Sequence, residues 1–212
     1  MFKIGKYTLR QYFFAGVSLL KKIIAQTVGL TFYDSKYLRG KHFTKYQYSN
    51  GWRWVMHNVF MQKIVGINRY IPYPVSFRMT VMNYENIEFD INDLDNFQKA
   101  GSYFQAAADA HIYIGKGTYI AGNVGIITAN HDLNDLDLPT PGKDVRIGEK
   151  CWIGMNSMIL PGVELGEHTI VGAGSVVTKS FPQGNCVIAG NPAKCIKFLD
   201  EENEKRIQRG FI

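Results

Sequence analysis

The sequence is poor in cysteine. Its three thiols, Cys151, Cys186 and Cys195, form an odd set with no CxxC pair and no Cys/His spacing of a structural zinc site. That excludes a disulfide framework and leads us to expect reduced thiols in a cytoplasmic protein. Long apolar runs are scarce too. The N-terminal stretch MFKIGKYTLRQYFFAGVSLLKKIIAQ lacks a signal-peptide cleavage site. Lys21 and Lys22 interrupt its apolar run, which reads as too short to span a bilayer. Acids are almost missing from the front of the chain. Residues 1–70 hold 12 Lys/Arg against Asp34 alone, a net charge of +11, whereas residues 71–212 hold 12 Lys/Arg against 17 acids, a net charge of −5. The first segment also carries 15 of the 28 aromatic residues. A basic, aromatic-rich front and a mildly acidic body imply two parts with different tasks.

What is abundant is a period of six. Ile147, Ile153, Ile159, Leu165, Val171 and Val177 recur at that spacing, and glycine follows four of them at Gly148, Gly154, Gly166 and Gly172. Four positions after the first five of these aliphatics stand Cys151, Ser157, Val163, Thr169 and Ser175, all small or β-branched. A helix repeats at 3.6 and a strand at 2, so six fits short strands joined by tight turns, the hexapeptide pattern of a parallel β-helix. Aliphatics point into the coil and stack between coils, and the adjacent glycines are expected to take unusual corner angles. Ile114, Ile120 and Ile126 form an earlier set, and Val75, Val81 and Ile87 one still farther upstream, with Ile91, Leu94 and Phe97 less regular. The expected organisation is a basic helical segment over residues 1–74, an all-β solenoid over 75–195 and a short C-terminal helix over 196–212.

The rhythm breaks once. Ile126 and Ile147 are 21 residues apart, not a multiple of six, so the segment between them must leave the coil, at roughly 129–144. This insert is polar and carries His131 between Asn130 and Asp132, and Pro139, Pro141 and Gly142 stiffen its return. A histidine in a projecting loop can act as a general base near neutral pH. Asp132 could fix its ring tautomer or contact an acceptor, or it could simply make an Asx-turn.

The run CWIGMNSMILPGVELGEHTIVGAGSVVTKSFPQGNCVIAGNPAKCIK resembles the closing coils of the hexapeptide-repeat acyltransferases. It is similar to the branch of galactoside and maltose O-acetyltransferases and of the O-acetyltransferases of bacterial surface polysaccharides. The extruded loop, the WIG step, the GAGSVVTK coil and the GNPAK exit occur in family order. The resemblance implies a left-handed parallel β-helix, a homotrimer and acetyl-CoA as co-substrate. His131 holds the place of the family's catalytic base. Carried over by position, the donor groove falls on Trp152, Gly154, Met155, Ala173, Thr178 and Lys179, with the Met155 amide as oxyanion donor. Acceptor contacts fall on Gln105, Asn130 and Asp132, and Tyr103 and Phe104 could wall a sugar site.

The expected activity is acetyl-CoA-dependent O-acetylation of a sugar hydroxyl in surface polysaccharide or lipopolysaccharide biosynthesis. Acetylation of an amine on a nucleotide sugar, or of serine or a xenobiotic, keeps the same fold. Metal chemistry on such a solenoid, as in the γ-class carbonic anhydrases, needs clustered histidines, whereas His111, His131 and His168 are scattered, so no metal is expected. A structural or binding solenoid is the non-enzymatic alternative.

At the front, Leu9, Phe13, Val17, Leu20 and Ile24 fall on one helical face, and Trp52, Val55, Met56, Val59, Phe60 and Lys63 on another. Two roles compete: a cap on the first coil, and an amphipathic anchor at the inner face of an anionic membrane. No nucleic-acid module surrounds the charge, so nucleic acid is not an expected partner.

Overall fold

The computed structural model describes residues 3–4, 7–44 and 48–199, and the chain divides between Phe77 and Arg78 into two compact units. The first unit opens with a short hairpin, β1 (Lys3–Ile4) and β2 (Tyr7–Thr8), and continues into α1 (Leu9–Phe32). After a short 3₁₀ turn at Ser35–Tyr37 comes α2 (Asn50–Val59), which widens into a π-helical stretch at Phe60–Val65. Gly66, at φ 109°, ends it. Buried Gln62 holds the chain that follows, accepting from the Tyr33 hydroxyl at 3.0 Å and the Val75 amide at 3.1 Å and donating to the Tyr73 carbonyl at 2.9 Å.

In α1 three residues of the face expected from the sequence point outward, Val17 is half-buried, and the Leu9 side chain lies outside the described residues. Phe13, Leu20 and Ile24 are 67%, 59% and 46% exposed. The inward stripe is Ser18, Lys22, Ala25 and Gly29, spaced by three and four residues. A side chain at Gly29 would meet Leu38, Trp52 and Val55, so the small residue is what lets α1 lie close to α2. The expectation of a run too short to span is corrected. The helix continues through Lys21 and Lys22, with Lys22 turned inward, and Phe13–Phe32 is long and apolar enough by length and composition to cross a membrane. In α2, Trp52 and Val55 are buried, while Met56, and Phe60 at the start of the π-helical stretch, face out.

The second unit is a parallel β-solenoid. Its strands are β3 (Thr80–Met82), β4 (Ile87–Phe89), β5 (Tyr103–Gln105), β6 (Ile112–Ile114), β7 (Tyr119–Ile120), β8 (Gly125–Ile127) and β9 (Val145–Ile147). They continue with β10 (Trp152–Ile153), β11 (Met158–Ile159), β12 (Glu164–Leu165), β13 (Thr169–Val171), β14 (Val176–Val177), β15 (Cys186–Gly190) and β16 (Ala193–Phe198). From β5 to β14 every third strand joins the same sheet. The first sheet runs β3, β5, β8, β11, β14; the second β4, β6, β9, β12; the third β7, β10, β13, β15, β16. The aliphatic period becomes rows of interior side chains in register. Val81, Phe104, Ile126, Ile159 and Val177 make one row, and Ile120, Ile153, Val171 and Ile188 another. All nine are buried.

The glycines beside the aliphatics serve another purpose than expected. Gly148 and Gly154 have ordinary φ angles, and it is the close approach of the next coil that requires them. A Cβ at Gly148 would lie 2.6 Å from the Glu167 nitrogen, and one at Gly154 2.6 Å from the Ala173 nitrogen. The left-handed corner residues come two positions later, also with a period of six: Gly117, Asn123, Lys150, Asn156, Gly162, His168 and Gly174. Glycine and asparagine suit that conformation best, which accounts for five of the seven. The small residues one step on fill the corners and bond the backbone. The Ser157 and Ser175 hydroxyls both donate to the Gly172 carbonyl, at 3.1 and 2.6 Å.

The first coil lacks a strand in the third sheet. A 3₁₀ segment, Ile91–Gln98, takes its place. Buried Asn96 completes the β7 edge there, donating to the Thr118 carbonyl at 2.8 Å and accepting from the Ile120 amide at 2.9 Å. At the other end β16 turns back antiparallel on β15. The helix expected over 196–212 is therefore corrected at its start, because residues 193–198 are strand; the remainder lies outside the described residues.

Candidate functional site

The insert leaves the solenoid between β8 and β9, at the corner between the first and second sheets. Its base is cross-pinned. The Asn130 amide donates to the Thr140 hydroxyl at 3.1 Å, and the Thr140 amide and hydroxyl donate to the Asn130 carbonyl at 2.7 and 3.0 Å. His131 and Pro139 form an isolated antiparallel bridge. The Lys143 amide donates to the Thr128 carbonyl at 2.7 Å, and the Gly142 amide to the Asp109 carboxylate at 3.0 Å. The prolines at 139 and 141 add rigidity by fixing φ. The loop thus holds its histidine through hydrogen bonds at its root rather than a packed core.

His131 is exposed, and its Nδ1 lies 2.7 Å from the Leu136 carbonyl oxygen. A carbonyl only accepts, so Nδ1 carries the proton and donates it. Nε2 is then left with its lone pair, the form a general base needs. Asp132 does not orient the ring. Its carboxylate accepts from the Asn134 amide at 2.7 Å and the Asp135 amide at 3.3 Å, an Asx-turn that shapes the loop. The Leu136 carbonyl and the Thr140 pin escaped sequence reasoning, because a backbone acceptor leaves no residue-type signature. The Asn130–Thr140 spacing across a proline was the one available hint. Leu133, Leu136 and Leu138 are 93%, 69% and 56% exposed, so the loop carries an apolar rim around its polar base.

Gln105 lies at the end of β5 in register with Ile127 of β8, four residues before His131. The Gln105 backbone carbonyl accepts from the Thr128 amide at 3.1 Å, so its strand is anchored to the loop's root. Tyr103 is partly exposed on the same strand, but Phe104 is fully buried in the interior row. Phe104 is therefore corrected from a possible sugar-stacking wall to core, because successive strand residues face opposite sides.

The expected donor residues fall on two different corners. Trp152, Gly154, Met155 and Ala173 gather where the third sheet turns into the first. Trp152 and Met155 are 55% and 53% exposed, and Ala173 is exposed one coil on from Met155. The Met155 carbonyl accepts from the Gly174 amide at 2.8 Å, which stacks the two coils here. Thr178 and Lys179 lie instead at the turn after β14, on the corner from which the insert projects. The Lys179 ammonium sits 5.7 Å from the centre of the Phe181 ring. One chain therefore brings His131, Gln105, Thr178 and Lys179 to one edge of the solenoid and places Met155 and Ala173 on another.

The remaining histidines of the solenoid make local contacts. His111 stacks on Tyr113, and His168 takes a left-handed corner at φ 57° with Nδ1 3.2 Å from the Asn185 side-chain oxygen. Among the described residues no group of three or more His, Cys, Asp or Glu side chains is placed to hold a metal ion.

Comparison with known proteins bears on the solenoid. Residues 144–179 match the bacterial transferase hexapeptide (six repeats) family. The galactoside O-acetyltransferase of Escherichia coli K12 is 31% identical over 144 residues, covering 66% of this chain and 66% of the relative. The galactoside O-acetyltransferase of Lactococcus lactis is 35% identical over 106 residues, covering 48% of this chain and 50% of the relative. A third relative, from Escherichia coli K12, is 37% identical over 122 residues, covering 52% of this chain and 61% of its own length. Its name assigns it provisionally to lipopolysaccharide biosynthesis as an O-acetyl transferase. A solved polysialic acid O-acetyltransferase aligns with a TM-score of 0.42 at 35% identity, over 48% of this chain and 50% of that chain. The chain spans about half the length of the relatives it matches in Saccharomyces cerevisiae and Schizosaccharomyces pombe, at 49% and 46%.

Proposed function

Residues 144–179 are a bacterial transferase hexapeptide repeat, and from that premise we propose that the chain is an acetyl-CoA-dependent O-acetyltransferase acting on a sugar hydroxyl of a surface polysaccharide or lipopolysaccharide precursor. The observation that carries the reading is the 2.7 Å contact from His131 Nδ1 to the Leu136 carbonyl, which leaves Nε2 as a bare base on a projecting loop. Support for the acceptor class comes from the names of the relatives above.

The reaction is a direct transfer. The acceptor hydroxyl gives its proton to His131 Nε2 while its oxygen attacks the thioester carbon. The Met155 amide donates to the developing oxyanion. As the tetrahedral intermediate collapses, the C–S bond breaks, and the imidazolium returns the proton to the departing coenzyme A sulfur. Gly154 lets the coil that bears Ala173 stack closely on the coil that bears Met155, and an extended pantetheine arm would lie along the two. Trp152 flanks that path, and Thr178 and Lys179 serve the cofactor from the other corner. Gln105, Asn130 and Asp132 line the acceptor side.

The two corners of one chain lie on different edges, so the reading includes a homotrimer in which the loop of one subunit meets the Met155 corner of its neighbour. The left-handed course of the coil and a cytoplasmic location belong to the same proposal.

The test is incubation of the purified chain with acetyl-CoA and a panel of galactosides, maltose, amino sugars, serine and polysaccharide fragments. Free thiol and product mass are recorded. We expect an acetyl ester that mild base removes. A base-stable amide as sole product would move the activity to an amine acceptor, and no transfer to any acceptor would favour a binding solenoid.

A further inference from the structure

The first unit carries a feature that acyl transfer does not use. On α1, Phe13, Leu19, Leu20, Ile23, Ile24 and Leu30 are each 46–67% exposed and cover one broad arc of the helix. Among the residues whose side chains are described, the polar ones on that arc are Thr27 and Thr31, and both satisfy their hydroxyls within the helix. Thr27 donates to the Ile23 carbonyl at 3.1 Å and Thr31 to the Thr27 carbonyl at 2.8 Å. Lys21 and Lys22 lie off the arc, and Lys22 is turned inward. The second helical stretch adds Phe60, Ile64 and Val65, each more than half exposed. Monomeric soluble proteins rarely expose so much contiguous apolar surface without an occupant.

We propose that this face docks in the plane of an anionic lipid bilayer, anchoring the chain peripherally. The inference is independent of the acetyl-transfer reading.

Three observations choose this occupant over others. First, the opposite stripe of α1 is committed to protein, since Gly29 packs on Leu38, Trp52 and Val55. A helix with one face held by its own domain has only the other for lipid, so it lies in the interface although its length would allow it to cross. Second, self-bonded threonine hydroxyls are what a hydrocarbon environment demands, where water cannot satisfy them. Third, the segment that bears the face carries a net charge of +11 over residues 1–70. That charge is complementary to acidic headgroups, at about 1 kcal/mol per cation near the surface. It would repel a second copy of the same segment.

The experiment is flotation of the full chain with vesicles of phosphatidylglycerol and phosphatidylethanolamine, against vesicles of phosphatidylcholine alone, at low salt and at about 0.5 M salt. The expected result is about tenfold more protein floating with the anionic vesicles at low salt, reduced at high salt. L20E/I24E, changed at exposed positions, is expected to lose flotation while keeping its circular dichroism spectrum and melting temperature. Equal flotation with neutral vesicles overturns the proposal, as does flotation unchanged in L20E/I24E. Absence of flotation, with L20E/I24E shifting the chain to a smaller oligomer in light scattering, assigns the face to a second copy and overturns it as well.

Discussion

His131 Nδ1 lies 2.7 Å from the carbonyl oxygen of Leu136, five residues along the same loop. The base is thus oriented by its own loop's backbone. Its alignment depends on the pin between Asn130 and Thr140 that closes the loop at its root. T140V removes both hydroxyl bonds without adding bulk. We expect kcat to fall about 10- to 100-fold, since small misplacements of a catalytic group are costly. T140S should restore most of the rate. Thermal unfolding followed alongside should move little, because the pin lies in an exposed loop.

The two kinds of glycine give a second test. Gly174 has φ +71° and open space around it, so G174A costs only backbone strain, about 1–2 kcal/mol. Gly148 has an ordinary φ, but a Cβ there would lie 2.6 Å from the Glu167 nitrogen of the next coil. G148A should therefore cost more than G174A, in the upper part of the roughly 1–3 kcal/mol range for overpacking or beyond. Urea midpoints of the two variants decide the order.

Asn96 replaces a missing strand edge with one side chain, bonded to the Thr118 carbonyl and the Ile120 amide. N96A leaves both backbone groups buried without those partners. A loss of about 1–3 kcal/mol per orphaned group follows, measured by urea unfolding. N96D keeps the acceptor but sets a buried carboxylate against the Thr118 carbonyl, so it should cost at least as much as N96A.

Burial pushes the Cys151 and Cys186 thiols above their ordinary value, which lowers the thiolate fraction at neutral pH. Cys195 is only partly buried. Labelling the native protein with a thiol reagent at neutral pH should modify Cys195 first, by peptide mass. Cys151 and Cys186 should react only at higher pH or after unfolding.

Much of the solenoid was legible because the dry interior admits only bulky aliphatics at a fixed interval. The insert was legible for the complementary reason, as 21 residues cannot close a whole number of hexapeptides. Close approach and positive φ both select glycine, so the sequence alone does not separate Gly148 from Gly174. The outward turn of Phe13, Leu20 and Ile24 was hidden because an apolar stripe reads the same whether it faces core or lipid. Residues 196–198, where the sequence suggests the start of a helix, continue a strand, because their polar residues lie on an exposed edge hairpin with little periodicity. In the site, His131 could be found by residue type, while the Leu136 carbonyl could not.

The central claim is that His131 Nε2 removes the acceptor proton during acetyl transfer. The direct measurement is the rate of acetyl ester formation from acetyl-CoA on the best sugar acceptor, by product mass, for the unmodified chain and for H131A. The account predicts that H131A loses activity about 10²- to 10⁴-fold while its oligomeric mass and melting temperature stay the same. A folded H131A chain that forms the ester at the unmodified rate would contradict it.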